Sequence, residues 1–108
     1  MKLGGGGMKN LLKQANKMKE QMEKLQQEAG EKTVEASSGG GMVTVVAKAK
    51  GEVVSINIEP SIVQDDDMEM LQDLITAAVN EALNRGQELM KDEVSKLAGG
   101  MGLPPGLI

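Results

Sequence analysis

The chain has no cysteine, no histidine and no Phe, Tyr or Trp, and each absence removes a class of chemistry. Without cysteine there is no disulfide, thiolate nucleophile or thiolate metal site, and the cytosol is the natural compartment. Without histidine or tyrosine, the side chains that most often move protons near neutrality are gone. Carboxylates and lysines remain, but nothing in the sequence sets them in an apolar pocket, so no enzyme is expected. Without aromatics there is no platform on which splayed bases could stack, which argues against single-strand recognition by stacking. The core must be built from Met, Leu, Ile, Val and Ala, a thin supply for 108 residues. No apolar run approaches the roughly 20 residues that span a bilayer, and the opening MKLGGGGMK lacks the hydrophobic centre of a signal peptide. Arginine occurs once, as Arg85.

What is present is a heptad stripe. Met8, Leu11, Ala15, Met18, Met22, Leu25 and Ala29 are spaced alternately three and four apart, the seam of a coiled-coil-type helix. Lys9, Lys13, Lys17 and Lys24 fall on roughly the opposite side of that helix. Residues 1–30 hold six lysines and three glutamates, net +3, although the whole chain is net −4. Charge is therefore segregated along the sequence. The nine methionines supply adaptable apolar filler, which suits helix packing or an oligomer better than a rigid cleft.

The spacing predicts a first helix over residues 8–29, with Gly30 as a left-handed residue just past its end. The period then changes to two. Val34 and Ala36 alternate with polar residues. After the SSGGG stretch, Val43, Val45, Ala47 and Ala49 share one strand face, and Thr44, Val46, Lys48 and Lys50 share the other. Gly51 and Glu52 make a tight connection, and Val54, Ile56 and Ile58 continue the apolar face until Pro60 stops the strand. A three-stranded antiparallel meander is expected. A second long helix starts at the acidic run 65–67, with Asp66 as N-cap and Glu69 completing a capping box, and ends near Leu97. Its stripe is Leu71, Leu74, Ile75, Ala78, Ala82, Leu83, Leu89, Met90, Val94 and Leu97, with Gly86 as a bend or close-contact point. At roughly 48 Å this helix outruns a strand of roughly 30 Å, so the overhang is expected to meet another chain. The fold class is α+β, in the order α-β-β-β-α, as a homodimer with projecting helices. Residues 1–7 are expected as a flexible leader, 8–98 as the single domain and 99–108 as a mobile Gly/Pro tail.

Four stretches carry a resemblance: NLLKQANKM at 10–18, AKGEVVSINIEP at 49–60, MLQDLITAAVNEAL at 70–83 and the terminal GGMGLPPGL. In this order they resemble the YbaB/EbfC family of bacterial nucleoid-associated proteins, across essentially residues 8–107. The resemblance implies a small dimeric α/β protein that binds DNA with little or modest sequence selectivity, without cofactor or catalysis, in the bacterial cytoplasm and on the nucleoid. It also implies paired helices projecting from a joined central sheet like the arms of tweezers. It transfers no DNA-contact motif residue by residue. A dimer would carry twice −4, or −8, so binding would have to be local, with distant charge screened over about 8 Å at physiological salt.

The expected DNA-facing residues are Lys9, Lys13, Lys17, Lys24, Lys48, Lys50 and Arg85. Each has a plainer reading beside it. The lysine stripe could be a solvated face balanced by Glu20, Glu23 and Glu28; Lys48 and Lys50 could serve only to discourage strand-edge aggregation; and Arg85 could be a surface ion-pair residue between Glu81 and Glu88. The expected dimer seam is Met8, Leu11, Ala15, Met18, Met22 and Leu25. Gly39–Gly41 lacks the Walker pattern and is read as a strand connection, and the acidic run 65–67 is read as helix capping, not a metal site. No metal, cofactor, membrane or small-molecule substrate is expected. The expected partner is double-stranded DNA, held through phosphates without strong sequence specificity. The alternative is a non-catalytic adaptor that recruits a protein through the Met-rich helix and the tail.

Overall fold

The structure, a computed structural model, describes residues 5–64 and 66–100. Helix α1 (Gly5–Gly30) leads into strands β1 (Thr33–Ser38), β2 (Val43–Lys48) and β3 (Glu52–Ile58). A single helical turn, α2 (Pro60–Val63), and the long helix α3 (Met68–Gly100) follow. The sheet is antiparallel in the order β1-β2-β3, so the α-β-β-β-α meander read from the alternation is the observed fold.

The β1–β2 connection is built on Gly39, Gly40 and Gly41, all at positive φ (59°, 67° and 97°). Three successive left-handed residues are open only to glycine without steric cost, which is why the chain spends a glycine run there. β2 is the central strand, and its alternation is as the sequence implies: Val43, Val45 and Ala47 are fully buried while Thr44, Val46 and Lys48 are half-buried. α3 lies over β1 and β2 and barely reaches β3. Its Ala78 and Ala82 meet Ala36, Val43, Val45 and Ala47 in the centre, ringed by Val34, Ile58, Leu71, Leu74, Ile75, Val79 and Leu83. Small residues on both layers bring helix and sheet close, and the thin apolar supply suffices because little volume has to be filled. Ser38 adds a polar tie, its hydroxyl donating to the Leu74 carbonyl at 2.6 Å.

Several boundaries differ from expectation, each for a local reason. α1 begins at Gly5, inside the expected leader, and α3 runs on to Gly100. Extending an existing helix costs little compared with starting one, and glycine weakens a helix without removing its hydrogen bonds as proline does. Residues 1–4 and 101–108, the rest of the expected leader and tail, lie outside the described residues, as does Asp65. The N-cap of α3 is Asp67 rather than Asp66: its Oδ1 accepts the Met70 amide at 2.9 Å. Met70, not Glu69, stands three residues on, so there is no reciprocal box. Gly30 is the last residue of α1 and is absent from the positive-φ set. Glycine is favoured there by contact, since a Cβ would crowd Lys50 Cβ at 3.2 Å. A β-bulge between Val46 and Ala47 shifts the β2–β3 register, pairing Ala47 with Val53.

Candidate nucleic-acid interface

Two contacts bring both long helices to the same end of the sheet. The amide of Lys50 donates to the Gly30 carbonyl at 3.1 Å, so the β2–β3 turn caps the end of α1. Gly86 lets α3 cross the same turn: a Cβ there would stand 3.1 Å from Ala49 Cα and 3.4 Å from the carbonyl oxygens of Ala49 and Lys48. Past this point α3 and α1 run side by side as a two-helix arm leaving the sheet.

The arm shows what part of the heptad stripe meets within the chain. Met18, Met22 and Leu25 are half-buried and Ala29 is buried, facing Leu89, Met90, Val94 and Leu97 of the α3 overhang, which are half-buried in turn. Each overhang finds the other in the same chain, because α1 arrives at the sheet where α3 leaves it. Met8, Leu11 and Ala15 stay exposed, as does Leu12. Three of the six residues expected in the dimer seam, Met18, Met22 and Leu25, thus already meet α3 of their own chain.

Lys9, Lys13, Lys17 and Lys24 are all exposed and, among the described residues, take part in no ion pair. Residues 5–19 of α1 contain four lysines and no acidic residue; Glu20, Glu23 and Glu28 are confined to the half nearer the sheet. The structure therefore places the purely basic stretch at the far end of the arm.

The other three expected residues are occupied. Glu31, at the corner between α1 and β1, binds Lys48 Nζ at 2.8 Å and Lys50 Nζ at 2.9 Å, and Lys50 also reaches Glu52 at 3.3 Å. The hydrogen bonds from Lys48 and then Lys50 hold the Glu31 carboxyl well below the usual range, at about 2, and donating to Glu31 raises Lys50. Arg85 pairs with Glu81 and donates from Nη1 to the Glu35 carbonyl at 2.6 Å, clamping α3 to the free edge of β1. A second tie, Lys32 to Glu93 at 2.9 Å, holds the base of the arm and lowers the Glu93 carboxyl. Glu31 and Glu93 carried no signal in the sequence, because each acts through a partner distant along the chain.

The other open surface lies on β3. Val53, Val54 and Ile56 are 37%, 52% and 43% exposed, on a strand whose outer edge has no neighbouring strand among the described residues. Among the described residues no three acidic side chains gather as a metal cage, and no helix is long and apolar enough to cross a membrane.

Comparison with known proteins agrees with this geometry. A nucleoid-associated protein of Acetivibrio thermocellus is 56% identical over 103 residues, covering 95% of this chain and 91% of the relative. One from Ruminiclostridium cellulolyticum is 53% identical over 103 residues, covering 95% and 90%. The crystal structure of the Helicobacter pylori protein HP0035, described as uncharacterized, superposes with a TM-score of 0.68 at 28% identity, covering 84% of this chain and 91% of that one. The sequence profile of the YbaB/EbfC DNA-binding family matches residues 4–101, and the chain belongs to that family.

Proposed function

We propose that the protein is a homodimer that holds double-stranded DNA by its phosphates, with little sequence selectivity, as a nucleoid-associated protein of the cytoplasm. The observation that carries the reading is the acid-free stretch 5–19 at the end of the arm, with Lys9, Lys13 and Lys17 on one exposed face and Lys24 continuing it. Ammonium groups on a straight helix meet phosphates as point charges, and such contacts position a duplex without reading its bases. Lys48, Lys50 and Arg85 support the arm through Glu31 and Glu35 and are secondary to it. The names of the relatives support a place on the nucleoid.

The dimer is the part of this reading that β3 supports. A second copy added antiparallel along that edge satisfies its open backbone groups, covers Val53, Val54 and Ile56, and turns two three-stranded sheets into one. Both arms then spring from a shared platform, and two basic faces act on one duplex.

The test is a mobility shift with two duplexes of unrelated sequence across a salt series, alongside sedimentation of the free protein. Similar binding to both duplexes that collapses with added salt, by a species of dimer mass, is the expected result. No binding to either duplex at low salt overturns the DNA reading, and a monomer at micromolar concentration overturns the dimer.

A further inference from the structure

The first half of the heptad stripe meets nothing among the described residues. Gly86 and Gly30 both sit at the turn 49–51, so the two helices leave the sheet at one level. From there α3 extends 14 residues to Gly100, about 21 Å, whereas α1 extends 25 residues back to Gly5, about 38 Å. The level of Gly100 falls near Asn16 of α1, and burial follows this geometry. Met18 is half-buried and Ala15 is exposed, while Met8, Leu11 and Leu12 are 62%, 64% and 61% exposed. The stripe itself does not change at that level. Met8, Leu11 and Ala15 keep the three-four alternation of Met18, Met22, Leu25 and Ala29, which is the spacing of helix packed on helix. A stretch this short is marginal as a lone helix in water, so a helix laid on that face would stabilise it.

We infer that a second copy of this chain covers it, the same stretch of its α1 lying antiparallel on Met8, Leu11, Leu12 and Ala15. The seam continues without a break from one that a helix of this protein already fills, and its charge pattern suits an identical partner. With Met8 and Ala15 at heptad position a and Leu11 at d, Lys9, Lys13 and Lys17 fall at b, f and c, the outward positions. The flanking positions e and g, which choose a partner by charge, hold Leu12 and Gln14. An acidic partner would find no lysine there to read it, whereas two identical stretches meet there without like charges opposed. Leu12 at e also widens the apolar face. The antiparallel sense follows from the bodies: α3 carries six acidic and three basic side chains, and parallel arms would lay two such helices side by side. A two-fold axis across the arms keeps them at opposite ends and makes the contact self-complementary and closed. Lys9, Lys13 and Lys17 then point outward on both sides of the pair. The contact is small, so it is weak and fills at high protein concentration. It rests neither on DNA binding nor on the β3 joint.

Two measurements decide it. Because the protein has no cysteine, one substitution gives each chain a unique thiol. In Leu11→Cys, near the middle of the uncovered stretch, a short bismaleimide should join two chains, seen as doubled mass on a denaturing gel. Lys13→Cys, on the outward face, should not join. Nor should Ala15→Cys, because in an antiparallel pair centred on the stretch the two copies of that position lie more than about 10 Å apart along the axis. No joining at Leu11→Cys, or joining at Lys13→Cys or Ala15→Cys to the same extent, overturns the inference. In sedimentation at rising concentration, the unaltered protein should gain mean mass, and Leu11→Ser with Leu12→Ser should abolish the gain while helical content stays unchanged, since both side chains are exposed. No gain in the unaltered protein, or the same gain in the double variant, overturns it. Adding Ile56→Lys to Leu11→Cys should leave the joined product in place, so failure of the β3 joint is told apart from failure of this contact.

Discussion

Replacing Lys9, Lys13, Lys17 and Lys24 together by Gln measures the electrostatics of the arm. Along α1 the four span 15 residues, about 22 Å, the length of six or seven base pairs. One contact each on two arms makes eight phosphate contacts, and each adds about 0.9 to the slope of log K against log salt, roughly 7 in all. Between about 50 and 200 mM salt the unaltered protein should lose about four orders of magnitude in affinity. The quadruple variant should lose most of the slope together with the affinity, and a single Lys→Gln change, counted on both arms, should lower the slope by about 2. All four side chains are exposed and lie away from the half-buried residues of the arm, so melting temperature and sedimentation should not change. A folded quadruple variant that binds unrelated duplexes with the original slope would refute the assignment and move attention to Lys48, Lys50 and Arg85.

Gly86→Ala should lower stability by about 1 kcal/mol, and Tm by about 5 °C, since the usual helix gain is outweighed by a Cβ pressed on the backbone of Ala49; unchanged or higher Tm in circular dichroism would show that the crossing has slack. Asp67→Ala should cost about 1 kcal/mol while Asp66→Ala costs little, because only Asp67 accepts a helix-end amide; denaturant titration of the two separates them. The Glu31 carboxyl, with its folded value lowered from 4.5 to about 2, stabilises the corner fully above its unfolded value. That contribution fades as pH falls from about 4.5 toward 2; carboxyl NMR should show Glu31 titrating near 2, and a midpoint near 4.5 would mean that Lys48 and Lys50 do not hold it. Ile56→Lys should leave helical content intact but give monomers in sedimentation, because it sets a charge in the proposed joint between two β3 strands; a dimer of unchanged strength would place the interface elsewhere.

Elements that repeat were legible, and pairings between distant elements were not. The period of two in VTVVAK and the seven-residue stripe of α1 each state which side chains share a face, because backbone geometry alone converts spacing into direction. The stripe of α3 was read correctly for the same reason. What covers a face depends on where another element lies. Met18, Met22 and Leu25 looked like an interface between copies because the overhang of each helix was judged against the sheet alone, and the joint crossing at Ala49 and Lys50 turns both overhangs into one arm. Arg85 and Lys48 show the same limit from the polar side: their partners, the Glu35 carbonyl and Glu31, are 50 and 17 positions away. Gly30 and Gly86 were recognised as special, but only Gly86 was also read as a point of contact. Gly30 serves the same purpose, and a glycine required by a neighbour's approach looks the same in sequence as one required by its own φ.

The acidic total and a DNA-binding role are reconciled by distance. α3 carries six acidic and three basic side chains, and both the Glu31 corner and the Arg85 clamp spend their cations on carboxylates or carbonyls of the protein itself. None of that negative charge lies on residues 5–19. From the shared level of Gly30 and Gly86, α1 extends about 17 Å farther than α3, and Lys9 and Lys13 sit on that part; the last acidic residues of α3, Asp92 and Glu93, stop about 10 Å short of the end of α3, more than the roughly 8 Å over which charge is felt at physiological salt. A duplex against the lysines of α1 meets a local field set by the arm, while the acidic body keeps the molecules from adhering to DNA along their whole surface. On the proposed reading, segregating charge along a projecting helix lets a dimer of this small chain repel DNA in bulk and hold it at two places, one on each arm, and the salt slope of the lysine variants reports the second property alone.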